Sequence, residues 1–236
     1  MEIVVSEKER NARYIAYVYT SLMPYIEACG AKSSLAFGGE RIGLTLRADK
    51  KYESYLRRFA EEKIAETVAV GYKYEIFRRE LHPAGLNAEE REILFAALVA
   101  ADFADDKRYV FARLRGASVY SVDGFFAFRL GALLRKWKGI VGCVPPYFTR
   151  EKLSAFMRYL LREDAGEKVI VRGADIFDGK YHKLRRATLI EEGATDMNAI
   201  REIILSGAGE VECVGVPPPG QEKFLRDYFA GKVSFM

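Results

Sequence analysis

"SVDGFFAFRLGALLRKW", residues 121–137, sets the character of the chain. Phe126, Leu130, Leu133, Trp137 and Ile140 recur at three- and four-residue spacing. That pattern predicts one amphipathic helix from about Gly124 to Ile140, capped by Asp123. Arg129 falls at the edge of the aromatic stripe. Its methylenes suit the rings of Phe125 and Phe128, and its guanidinium suits a carboxylate on a neighbouring helix.

Such a stripe needs other helices to bury it, and the flanking sequence supplies them. Residues 50–81 alternate charge signs with few helix breakers, and Pro83 and Gly85 end that run. Asn87 followed by Glu90 is a capping-box signal before the stripe Ile93, Leu94, Ala97, Leu98 and Ala101. A short helix follows, ending near Gly116. Beyond Pro145-Pro146, Thr149 caps a helix with the inner face Leu153, Phe156, Met157, Leu160 and Leu161.

The two ends read differently. Residues 2–5 look like a strand and 8–28 like a helix that Pro24 kinks or ends early. Runs at 34–37 and 41–47 flank Gly38-Gly39 and predict a hairpin. Toward the C-terminus, 168–172 reads as a strand, Asp178-Gly179 as a hairpin turn, and 184–190 as its second strand. A helix at 196–205, a strand at 211–216, a helix at 221–230 and a last strand follow. The expected fold class is α+β: a largely helical middle (49–163), a strand-helix-hairpin segment before it (1–48) and a small α/β region after it (164–236). Whether the two sets of strands share one sheet stays open.

The chain has 236 residues, half of them hydrophobic, enough for a sizeable core without a disulfide or metal. Cys29, Cys143 and Cys213 are odd in number and far apart, which fits reduced thiols and a cytoplasmic protein. The N-terminus lacks the pattern of a signal peptide, and no apolar stretch is long enough to span a membrane.

The 121–130 stretch resembles the "IDGFxxFRL" helix of the YtxC-like family of putative sporulation proteins, through Asp123, Gly124, Phe125, Phe128, Arg129 and Leu130. The order of segments over roughly residues 75–236 is also similar. The resemblance implies an association with sporulation and assigns no catalytic residue.

Enzyme signatures are missing. There is no G-x-x-x-x-G-K-[ST] loop, H-E-x-x-H helix or G-x-S-x-G elbow. His82 and His182 are the only histidines. Gly207-Ala208-Gly209 follows a helix and opens a strand, the reverse of a dinucleotide loop, so it reads as a helix C-cap. Asp175, Asp178 and His182 read as turn residues rather than a metal site. The 216–222 loop connects a strand to a helix N-terminus, where an anion or small substrate would bind in an open α/β sheet, or where the prolines merely stiffen the turn.

Charge is the remaining functional signal. Residues 129–186 carry 14 Lys and Arg against 6 Asp and Glu. Arg135, Lys136, Lys138, Arg158, Arg162, Lys183, Arg185 and Arg186 are the candidate anion or nucleic-acid contacts. The expected function is a non-catalytic interaction or regulatory protein with an unknown protein partner and no cofactor or metal. The alternative is a nucleic-acid-binding protein that uses the basic segment.

Overall fold

Alternation builds the first sheet. In β1 (Glu2–Lys8), Ile3, Val5 and Glu7 are buried while their neighbours are not, and in β3 (Arg41–Arg47) Ile42, Leu44 and Leu46 are buried. Antiparallel pairing sets Ile3 against Leu46 and Val5 against Leu44, so one face is apolar. That face is covered by α1 (Ala12–Ala28), whose Ile15, Val18 and Leu22 are fully buried or nearly so. The helix runs through Pro24 instead of ending there. Between β1 and α1 lies one 3-10 turn at Glu9–Asn11, so the helix starts later than residue 8.

The computed structural model describes residues 1–114, 117, 119–160, 166, 168–191 and 195–236. Packing divides it into two units that interleave along the chain: Met1–Lys73 with Ala104–Lys138, and Tyr74–Phe103 with Gly139–Met236. The segments 1–48, 49–163 and 164–236 divide the chain by texture, and packing divides it differently. The fold is α+β, with a helical middle and two small sheets.

In the first unit the sheet order is β2-β3-β1-β4, where β2 is Lys32–Gly38 and β4 is Val119–Ser121. β4 lies within the stretch expected to be helical and pairs parallel with β1. Gly39 (φ 62°) and Glu40 form the two-residue hairpin loop between β2 and β3, an arrangement that favours glycine first. α2 (Glu53–Thr67) packs against α1, and a π-helical turn at Val68–Tyr72 carries the chain into α3 (Lys73–Glu80). After α4 (Ala88–Ala100) of the other unit come α5 (Phe103–Leu114), α6 (Val122–Arg129) and α7 (Gly131–Cys143).

The single helix expected over 124–140 is therefore two. It breaks at Leu130, which leaves the helical region (φ −113°, ψ 24°) just before Gly131. Buried Leu130, Leu133 and Trp137 still carry the apolar stripe. A buried ionic group sits beneath it. Asp106 accepts from Lys73 Nζ (2.9 Å) and Trp137 Nε1 (2.8 Å) at Oδ2, and from Lys136 Nζ (2.6 Å) at Oδ1. Three donors offset the cost of removing that carboxylate from water.

In the second unit the sheet order is β6-β5-β7-β8: β5 is Lys168–Arg172, β6 Asp175–Asp178, β7 Glu210–Cys213 and β8 Val233–Phe235. β5, β7 and β8 run parallel, and β6 is antiparallel to β5. Val169, Val171, Val211 and Cys213 share a core with α4, α8 (Arg150–Leu160), α9 (Asp196–Ser206) and α10 (Pro219–Tyr228). The terminal strands thus form two sheets.

Local signals held at several points. Asn87 and Glu90 make the reciprocal capping box, Thr149 Oγ1 accepts from Lys152 N, and α9 ends at left-handed Gly207. Leu161 and Gly116 lie outside the described residues. The strand expected at 184–190 is instead a 3-10 turn, Arg186–Leu189. The Asp178-Gly179 turn does form and its return pairs with β6 at Lys183 and Leu184, but beyond it Glu202 takes the Ala187 N–H (2.6 Å) and Thr188 Oγ1 bonds the Arg185 carbonyl (2.7 Å), local bonds that compete with a ladder. The β5–β6 hairpin turns earlier, at Gly173-Ala174.

Candidate protein-docking surface

The motif at 121–130 splits into anchored and presented residues. Asp123 is anchored. Its carboxylate accepts from Arg41 at 2.7 and 3.2 Å, and Ser121 Oγ donates to it at 2.9 Å. Arg41 also reaches Ser121 Oγ (3.0 Å) and Ser6 Oγ (3.3 Å). The guanidinium lowers the Asp123 carboxyl to a pKa of about 2. Gly124 lies so close to Ser121 that a Cβ there would come within 3.0 Å of its Oγ.

Beside this pair, Glu7 is fully buried at the end of the apolar face of β1. It accepts from Tyr72 OH (2.6 Å), Lys8 N (2.8 Å) and Asn11 Nδ2 (3.2 Å). Burial pushes its carboxyl above the usual range despite these donors. Phe126 packs between Tyr72 and Trp137, with centroids 4.5 and 5.9 Å away, and Leu130 is fully buried.

Phe128 and Arg129 point the other way. Phe128 is 87% exposed, and Val119 on neighbouring β4 is 63% exposed. With half-buried Phe125 they border a groove of about 370 Å³ that also reaches Arg113 and Arg129. Arg113 lies over the Tyr109 ring, 3.5 Å from its centroid. Arg129 is exposed and, among the described residues, has no ion-pair partner. The carboxylate expected on a neighbouring helix is not found for Arg129 among the described residues, and the ion pair of the motif is instead Asp123 with Arg41. Among the described residues β4 pairs on one side only, with β1.

The basic candidates are divided between the two units and partly engaged. Arg135, Lys136 and Lys138 belong to the first unit; Arg158, Lys183, Arg185 and Arg186 belong to the second. Lys136 is held by Asp106, Lys183 by Asp175 at 2.5 Å, and Arg158 by the Ser154 carbonyl at 3.2 Å. Arg186 donates to the Leu205 carbonyl at 2.8 Å and covers Phe103. Arg135, Lys138 and Arg185 are exposed, and Arg162 lies outside the described residues.

The other candidates are structural in their contacts. Asp178 Oδ2 meets His182 Nδ1 at 3.1 Å. Among the described residues no group of three or more His, Cys, Asp or Glu could hold a metal ion. Gln221, fully buried in the first turn of α10, donates to Asp196 at 3.2 Å. No described helix is long and apolar enough to cross a membrane.

Arg41, Arg113 and Val119 were not singled out from sequence. Arg41 lies 82 positions from Asp123, beyond any local pattern. Val119 carries a faint signal in the alternating "VYS" before Asp123, obscured by helices on both sides. No family model, curated protein or solved structure matches the chain. The YtxC-like resemblance therefore rests on the motif residues themselves.

Proposed function

We propose that this chain is a non-catalytic protein-interaction module whose docking surface is the Val119–Phe125–Phe128 groove flanked by Arg113 and Arg129. The observation that carries this reading is Phe128, a large apolar side chain left 87% exposed in a motif that Asp123 and Leu130 anchor. Contiguous exposed apolar surface bordered by charge is characteristic of docking sites. Aromatic and arginine side chains are also those most often dominant in binding energy. The outer edge of β4 accepts an extended segment, and the two arginines favour one with acidic residues beside an apolar anchor. The YtxC-like resemblance agrees with a regulatory role in sporulation. The engagement of Lys136, Lys183, Arg158 and Arg186 by acceptors of the fold favours a protein partner over nucleic acid.

Panning a random peptide library against the full chain tests this. Enriched peptides should pair an aromatic or aliphatic anchor with Asp or Glu and should be lost from Phe128→Ser/Arg129→Glu of unchanged circular dichroism. Failure to enrich any peptide, or equal enrichment on the variant, would overturn it.

A further inference from the structure

The opposite edge of the same sheet carries a separate surface. β2 is the terminal strand, and all but Ser33 of its residues are exposed. Leu35 pairs with Leu44 and Phe37 with Ile42, so both lie on the sheet's apolar face. Leu44 and Ile42 are buried there, yet Leu35 is 43% and Phe37 69% exposed. The apolar layer continues to this edge without cover.

The hairpin settles which backbone groups are open. Gly38 pairs with Arg41 across a two-residue loop. In such a hairpin the flanking pair exchanges both bonds and the pattern then alternates. Lys32, Ser34, Ala36 and Gly38 bond toward β3, while Ser33, Leu35 and Phe37 turn N–H and C=O outward. The strand has none of the usual edge protection: no proline, no bulge, and a single charge, Lys32, at its start.

We infer that β2 pairs antiparallel with β2 of a second copy of this chain, about a two-fold axis through Leu35. In that register Leu35 faces Leu35, Ser33 faces Phe37, and Ser34 faces Ala36. Every outward N–H finds a carbonyl, as a two-fold interface requires. Charge agrees with the self-pairing. Lys32 falls opposite Gly38, not opposite another cation. The exposed Glu40 of the other copy's loop lies just beyond that Gly38, so opposite charges meet at each end of the join. This Lys32–Glu40 approach occurs twice, once at each end of the join. Leu35 and Phe37 of both copies close the apolar layer across the join. The interface is independent of the β4 surface, at the far side of the sheet.

Sedimentation velocity of the full chain tests the inference. The protein should sediment as a dimer of the 26.7 kDa chain at tens of micromolar. Leu35→Lys, which sets two cations face to face on the axis, should weaken association at least tenfold with an unchanged far-ultraviolet spectrum. Leu35→Cys, in a Cys29→Ser/Cys143→Ser background, should oxidise to a covalent dimer, because paired Cα atoms at the axis lie about 5.5 Å apart. Ala36→Cys in that background should not. A wild-type monomer at 100 μM overturns the inference. So does a dimer that Leu35→Lys leaves intact, or equal crosslinking through positions 35 and 36.

Discussion

Arg41 on β3 and Asp123 at the start of α6 meet through two hydrogen bonds, 2.7 and 3.2 Å long, across 82 positions of sequence. The pair fastens the motif to the sheet and leaves the far end of α6 facing solvent.

The pH dependence of that pair follows from Asp123. Its folded pKa, about 2, lies below the ordinary 3.8. A depressed carboxylate adds stability that is complete above the ordinary value and is lost as pH falls through the folded one. The Arg41→Gln/Asp123→Asn double-mutant cycle should give a coupling of about 1 kcal/mol at pH 7, since the arginine is part-exposed. The coupling should vanish between pH 3.8 and about 2. Urea melts across that range measure it; a coupling unchanged at pH 2 would contradict the assignment.

Glu7 runs the opposite way. Its folded carboxyl lies above the ordinary 4.5, so the folded state binds its proton more tightly. Stability from this group therefore rises as pH falls from the raised value to 4.5. Glu7→Gln should remove that rise and leave the loss below pH 3.8 due to Asp123. Thermal melts of the two proteins from pH 8 to 3 show whether the curves separate in that window.

The two phenylalanines of the motif should respond differently to truncation. Phe126→Ala removes a ring packed between Tyr72 and Trp137 and should cost roughly 1–3 kcal/mol. Phe128→Ala and Arg129→Ala should stay within about 0.5 kcal/mol, as exposed positions do. Denaturant midpoints decide it; equal losses at 126 and 128 would place Phe128 in the core.

Nucleic-acid binding has a sharper test than reversing every cation. Lys136→Glu would set a carboxylate against buried Asp106 and damage the fold, so Arg135→Glu/Lys138→Glu is the variant to use. Anisotropy of labelled duplex DNA at about 100 mM salt should be the same for both proteins, with no saturable binding. Micromolar binding with a steep salt slope, lost in the variant, would move function to the basic segment.

Sequence legibility followed the range of the interactions. The Asn87–Glu90 box, the hairpin after β2 and the Gly207 cap are local, and each was readable from a few residues. The break at Leu130 was hidden because apolar spacing continues through it: Leu130, Leu133 and Trp137 stay buried on either side of the discontinuity. The 184–190 stretch reads as extended, but the Glu202 side chain, 15 positions on, captures the Ala187 N–H. For the docking surface, the motif was visible but its orientation was not. Whether Phe128 or Phe126 faces inward depends on Arg41, Tyr72 and Trp137, all remote from it along the chain or beyond the break.

The interleaving of the two units imposes an order on synthesis. β4 joins β1 by pairing residue 119 with residue 4, so the first sheet stays one strand short until residue 119 has left the ribosome. Meanwhile Tyr74–Phe103 has emerged without the C-terminal strands and helices that later bury it. The apolar face of α4 is exposed through that interval, which slows folding and invites chaperone capture. A single cut cannot release either unit whole, since removing one as a continuous piece takes part of the other with it.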